Sequence, residues 1–104
     1  MANTFKRKLA STTTADTPVT VYTVPASTTT VVIGFMISNI TASAVLATIE
    51  CASTNLGTDI LIPAGSSLSA LDGKIVLEAA DTVTIECDTL NGVEVILSIM
   101  EVTA

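Results

Sequence analysis

The chain has 104 residues, a hydrophobic fraction of 49%, a charged fraction of 13% and a mean hydropathy of +0.69. That is one domain's length, and too apolar and too weakly charged for a disordered tail. Histidine and tryptophan are absent, which removes imidazole-based metal or general-base sites, and net charge −6 argues against a nucleic-acid binder. The longest apolar run, Val31 to Ile37, is far short of the ~20 residues that span a bilayer, so no membrane segment is expected. No signal-peptide core follows the basic cluster Lys6-Arg7-Lys8, and use without Sec export is expected; Asn39-Ile40-Thr41 reads as a chance glycosylation triplet.

Threonine occurs eighteen times, with abundant valine and isoleucine, a β-branched bias that favours strands. Period-2 alternation places the strands in chain order. A short one covers Thr4 to Ala10. In Pro18 to Val24, the residues Val19, Val21 and Thr23 share a face. From Thr30 to Ser38, the set Val31, Ile33, Phe35 and Ile37 points inward, with Val32, Gly34 and Met36 opposite. From Ala44 to Cys51, Val45, Ala47, Ile49 and Cys51 alternate with Leu46, Thr48 and Glu50. Short candidates follow at Asp59 to Pro63 and Lys74 to Glu78. In Asp81 to Asp88, Val83, Ile85 and Cys87 point inward. In the last strand Val93, Val95, Leu97 and Ile99 alternate with Glu94, Ile96, Ser98 and Met100.

Turn residues separate these runs: Pro25-Ala26-Ser27, Pro63-Ala64-Gly65, Asp72-Gly73 and Asn91-Gly92. About eight short strands without a helical stripe predict one all-β domain over residues 1–104. The expected form is an antiparallel β-sandwich, jelly-roll-like or immunoglobulin-like, with Ile33, Val83, Ile85, Val95 and Leu97 in its core.

Few residues suggest chemistry. Cys51 and Cys87, both inward, are expected to be buried free thiols; two lone cysteines cannot complete a zinc shell and have no histidine partner. Asp59, Asp81 and Asp88 could meet around a cation, though nothing resembles a calcium loop, so no metal or cofactor is expected. Glu50, Glu86, Glu94 and Glu101 read as solvated outward positions. Paired-carboxylate glycosidase chemistry would need a cleft and sugar-stacking aromatics, of which the chain has one tyrosine and two phenylalanines.

Three of the four basic residues lie in Phe5-Lys6-Arg7-Lys8-Leu9, on an otherwise acidic body. Residues 1–10 therefore read as a basic arm for an acidic partner or as a lysine-protected edge strand. Apolar residues at outward positions, Val32, Met36, Leu46, Ile96 and Met100, form a candidate seam for self-association, with a trimer favoured.

Several segments together resemble small virion structural proteins of tailed bacteriophages, notably cyanophages. They are Met1-Ala2-Asn3-Thr4-Phe5-Lys6-Arg7-Lys8, Val21-Tyr22-Thr23-Val24-Pro25-Ala26, Ile40-Thr41-Ala42-Ser43-Ala44 and Ile62-Pro63-Ala64-Gly65-Ser66-Ser67-Leu68. Leu71-Asp72-Gly73-Lys74-Ile75-Val76-Leu77-Glu78-Ala79 and Val95-Ile96-Leu97-Ser98-Ile99-Met100-Glu101 complete the set. One departure is Ala80, where such proteins often carry glycine. The resemblance implies a non-enzymatic virion component assembled in the bacterial cytoplasm. The first expectation is a capsid decoration (cement) protein bridging capsomers by contact with the major capsid protein, Phe5 to Leu9 contributing. A tail, neck or fibre-associated component is the second, and a carbohydrate-binding β-sandwich module the third.

Overall fold

The computed structural model describes residues 2–71 and 73–103, and none of these is helical. The strands are β1 (Ala2–Ser11), β2 (Val19–Thr23), β3 (Thr28–Asn39), β4 (Val45–Cys51), β5 (Thr54–Ile62), β6 (Ser67–Ser69), β7 (Ile75–Leu77), β8 (Thr82–Cys87) and β9 (Val93–Thr103). Sheet A runs β1-β9-β3, with β6 and β7 both on the far edge of β3; sheet B runs β2-β8-β4-β5. All pairings are antiparallel.

β6 pairs with Met36 to Ser38 and β7 with Thr30 to Val32, so the two are halves of one interrupted edge strand. Counted as one, they leave eight strands that cross between the sheets in the jelly-roll pattern. That order excludes the immunoglobulin arrangement.

The apolar core fills the space between the sheets. Phe35, Ile37, Ile49, Ile62, Leu77, Ile85, Leu97 and Ile99 are fully buried, and Val83 and Val95 join them as expected. Burying one such side chain stabilises by about 1.5–3 kcal/mol. With only three aromatic residues in the chain, of which Tyr22 and Phe35 are buried, the core is built mostly from valine, isoleucine and leucine.

Two β-bulges correct the sequence reading. In β3 the register to β9 shifts between Val32 and Gly34, which inserts Ile33 as an extra residue and inverts the face of everything before it. Val32 is therefore core, at 1% exposure, and Ile33 points outward, at 42%. Strict alternation assigned both to the opposite face, and Val32 is no part of an outer seam. In β2 the shift falls between Thr20 and Tyr22. Val21 and Tyr22 are both buried as a result, while Thr23 turns out to solvent. An inserted residue leaves no trace in a period-2 pattern whose neighbours on both faces are apolar.

The turns follow the local chemistry. Ser27, Gly65 and Asn91 take positive φ after the expected punctuators, and Asp72 lies outside the described residues. Gly92 is required for another reason: a Cβ there would strike the Cys87 Sγ and come within 2.9 Å of the Thr89 carbonyl. Asn39, of the Asn39-Ile40-Thr41 triplet, is buried and its side chain is fully engaged within the fold. Its side-chain amide donates to the Ser43, Ile62 and Pro63 carbonyls at 2.8, 3.0 and 3.1 Å, and its Oδ1 accepts from Thr41 N at 2.8 Å. This hub ties the β3–β4 loop to the end of β5.

Candidate docking surfaces

β1 is an edge strand, paired along its whole length with β9 and with no buried residue of its own. Its alternation sends Lys6, Lys8 and Ala10 to the side facing sheet B, opposite Ile99, Leu97 and Val95. Phe5, Arg7 and Leu9 take the outer side. Inward-pointing lysines of this kind keep an edge strand from pairing indiscriminately.

Lys6 Nζ sits 2.8 Å from Glu101 Oε1, on β9. The expectation of a solvated Glu101 is wrong: counted from Val93, residue 101 falls on the inward phase, and the carboxylate is buried. Tyr22 of sheet B donates its hydroxyl to Glu101 Oε2 at 2.5 Å and lies 2.8 Å from Thr30 Oγ1. The bonds from Lys6 and Tyr22 hold the Glu101 carboxyl below the usual carboxylate range. Burial, then the bond to Glu101, pushes the Tyr22 phenol up to about 12. Lys8 completes the group, its ammonium 5.8 Å from the centre of the Tyr22 ring. Together these residues line a shallow cleft of about 340 Å³ between the open edges β1 and β2.

The outer face of sheet A carries two apolar rows across its strands. One is Phe5–Met100–Val31–Val76, running through β1, β9, β3 and β7. The other is Leu9–Ile96–Met36, ending on Ser69 of β6. Between them lies a small polar row, Arg7–Ser98–Gly34. Phe5, Leu9, Met36, Val76 and Ile96 are all exposed, as is the bulged Ile33.

Sheet B differs. Its outward row Thr20–Thr84–Glu50–Asn55 and the pair Thr48–Glu86 are polar or acidic, and its apolar exceptions, Leu46 beside Leu61 and the exposed Leu56, lie on β4 and the edge strand β5. The residues anticipated as one seam thus separate. Met36, Ile96 and Met100 share the sheet A face with Phe5, Arg7 and Leu9, Leu46 belongs to sheet B, and Val32 is internal. Phe5 and Val76 fall into one row only because β1 and β7 bracket β9 and β3, a pairing no local pattern reports.

Cys51 and Cys87 are free and buried. Desolvation raises both thiols, Cys51 to about 11, which leaves little thiolate at neutral pH. In the β4–β8 ladder Cys51 opposes Val83 and Cys87 opposes Ala47, four residues or ~13 Å apart along the strands, too far for a disulfide. The three aspartates considered for a cation have separate local tasks. Asp81 Oδ2 accepts from Glu78 N at 2.8 Å, Asp88 Oδ1 accepts from Leu46 N at 3.0 Å, and Asp59 sits at positive φ on β5. Among the described residues no three metal-ligating side chains come together.

No family model and no curated protein matches the sequence. Among solved structures, the chain is similar to a protein of the disulfide-linked pili that form Bacillus endospore appendages, at 20% identity and a TM-score of 0.54. That match covers 97% of this chain and 88% of the other, and it shows a shared fold. A Podospora anserina GH26-CBM35 β-(1,4)-mannanase is similar at 13% identity and a TM-score of 0.48, over 98% of this chain and 28% of that one. At that score the likeness carries no argument.

Proposed function

We propose that this chain is a virion structural protein, a decoration protein that binds a preassembled phage shell and stiffens it by bridging capsid subunits, without catalysis. The resemblance to small phage virion proteins supplies the class. The observation that carries the reading is the β1 edge. Three of the chain's four basic residues stand on one open edge of an otherwise acidic body, where Arg7 and Lys8 have no carboxylate partner among the described residues. Such an edge suits an acidic strip on a major capsid protein and needs no reactive group. The Bacillus neighbour builds disulfide-linked pili; here both thiols lie inside the sandwich, which disfavours that mode of linkage.

Residues 2–11 form a full strand of sheet A, so deleting them would remove structure along with contacts. Charge reversal is the cleaner test. Arg7→Glu, which leaves the Lys6–Glu101–Tyr22–Lys8 group intact, should weaken attachment to particles lacking the protein by about threefold to tenfold, because exposed ion pairs contribute ~0–1 kcal/mol each. The fold should remain, and bare particles should release DNA at a lower temperature than decorated ones. Equal heat resistance, with the protein located on the tail, would sink this reading in favour of a tail, neck or fibre component.

A further inference from the structure

We infer that the outer face of sheet A is the seat of a second copy of this chain, the two copies related by a two-fold axis that runs along the strands between β9 and β3. The inference goes beyond the virion reading and does not depend on it.

Rotation about that axis keeps each cross-strand row on the same row of its partner and exchanges the strands, β1 with β7 or β6 and β9 with β3. Met100 then lies over the partner's Val31, Ile96 over the partner's Met36, and Phe5 within about a residue of the partner's Val76, because packed sheets cross at about 30°. Each apolar row meets an apolar row. Ser98 meets Gly34, whose missing side chain leaves room between the sheets: a Cβ there would meet only Ser98, at 3.8 Å. Arg7 falls at the level where the edge strand is interrupted between β6 and β7, so it faces no strand of the partner directly.

The other simple axis, across the strands, fails on charge, since it sets Arg7 against the partner's Arg7 when the two apolar rows are matched. Sheet B is no substitute for sheet A, because it would bury Glu50 and Glu86 at its centre, whereas Glu94 of sheet A stands in the end row with Ser11 and Ser38 and would face the partner's Ser38. The area is also sufficient. Four strands ~4.8 Å apart over nine residues span roughly 20 by 30 Å, and side-chain relief brings that close to the ~800 Å² per partner of a specific interface. The pair would present two basic β1 edges on opposite sides, a geometry fitted to bridging.

Sedimentation equilibrium of the full chain tests this. Wild type should be a dimer, and Met36→Glu with Ile96→Glu, which places like charges face to face across the axis, should weaken association by about 100-fold or more with unchanged circular dichroism. Leu61→Glu, on sheet B, should leave the dimer intact. As a check independent of the folding of the glutamate variant, Phe5→Cys with Val76→Cys should give covalent dimers with a short bismaleimide reagent, whose spacer suits packed sheets ~10 Å apart, while Phe5→Cys alone should not. Within one chain those positions lie three strands apart, ~14 Å, and any link between them would leave the chain monomeric on a denaturing gel. A wild type that stays monomeric at about 0.5 mM, or efficient cross-linking by Phe5→Cys alone, would overturn the proposal.

Discussion

On sheet A, Phe5, Met100, Val31 and Val76 form one outward row and Leu9, Ile96 and Met36 another; on sheet B the corresponding positions are Thr20, Thr84, Glu50, Thr48 and Glu86. Both sheets turn similar aliphatic side chains toward the core, so stability of the single domain does not explain the difference. A solvent-facing antiparallel sheet ordinarily alternates apolar and polar residues, as sheet B does. Sheet A departs from that rule over the width of the sheet, and contiguous exposed apolar area of this kind marks a contact surface.

The largest effects should come from the bulge that sorts β3 between core and outer face. Val32→Asp places an unpaired carboxylate in the core and should abolish folding, whereas Ile33→Asp, one residue on, should cost less than about 1 kcal/mol in a urea titration run dilute enough to keep the chain monomeric. Equal losses from the two would mean that the bulge is misplaced and that the sheet A face is narrower than described.

A smaller effect concerns the contact that fastens β1, and with it Phe5 and Leu9, to the sandwich. Lys6 and Tyr22 favour ionised Glu101 in the folded chain, so their stabilisation is present above the ordinary glutamate pKa and disappears as pH falls through the lowered folded value. Wild type should therefore lose its stability advantage over Glu101→Gln on acidification. Above pH ~10 the sign reverses for Tyr22. Its phenol, raised to about 12, contributes stability that is lost as pH climbs towards that value, and Tyr22→Phe should remove this alkaline loss. An acid profile shared by wild type and Glu101→Gln would show that the ion pair does not hold β1.

The smallest expected change lies in the β7–β8 connection, which passes from sheet A to sheet B. Ala80 sits there at φ 72°, a left-handed conformation that costs a residue with a Cβ about 1 kcal/mol. Ala80→Gly should raise the melting temperature by a few degrees, offset in part by the greater freedom of glycine in the unfolded chain. No gain would mean that the turn is not strained.

Much of this was legible in the chain. Alternation located most of β8 and β9 and both cysteine positions, because each inward residue of β8 lies between polar ones and each from Val93 to Ile99 in β9 has at least one polar neighbour. It misjudged β3 and β2, where Val31-Val32-Ile33 and Val21-Tyr22 are apolar on both faces of a bulge. β6 and the first half of β5 went unread, since Ser67-Leu68-Ser69 and Thr54-Asn55-Leu56 carry loop-like composition and owe their pairing to β3 and β4. Glu101 was misread as wet because its partners, Lys6 and Tyr22, are 95 and 79 positions away. The docking face itself was half visible: Met36, Ile96 and Met100 stood out as misplaced apolar residues, but only the sheet order joins them to Phe5 and Leu9 and separates them from Leu46.

The central claim, that the sheet A face is covered in the assembled protein while the sheet B face stays wet, is tested most directly by hydroxyl-radical labelling of wild type at dilute and concentrated protein. Met36, exposed in the single chain, should become protected as concentration rises, while Leu61 on sheet B should label at a constant rate. Constant labelling of Met36, or protection that appears at Leu61 instead, would contradict it.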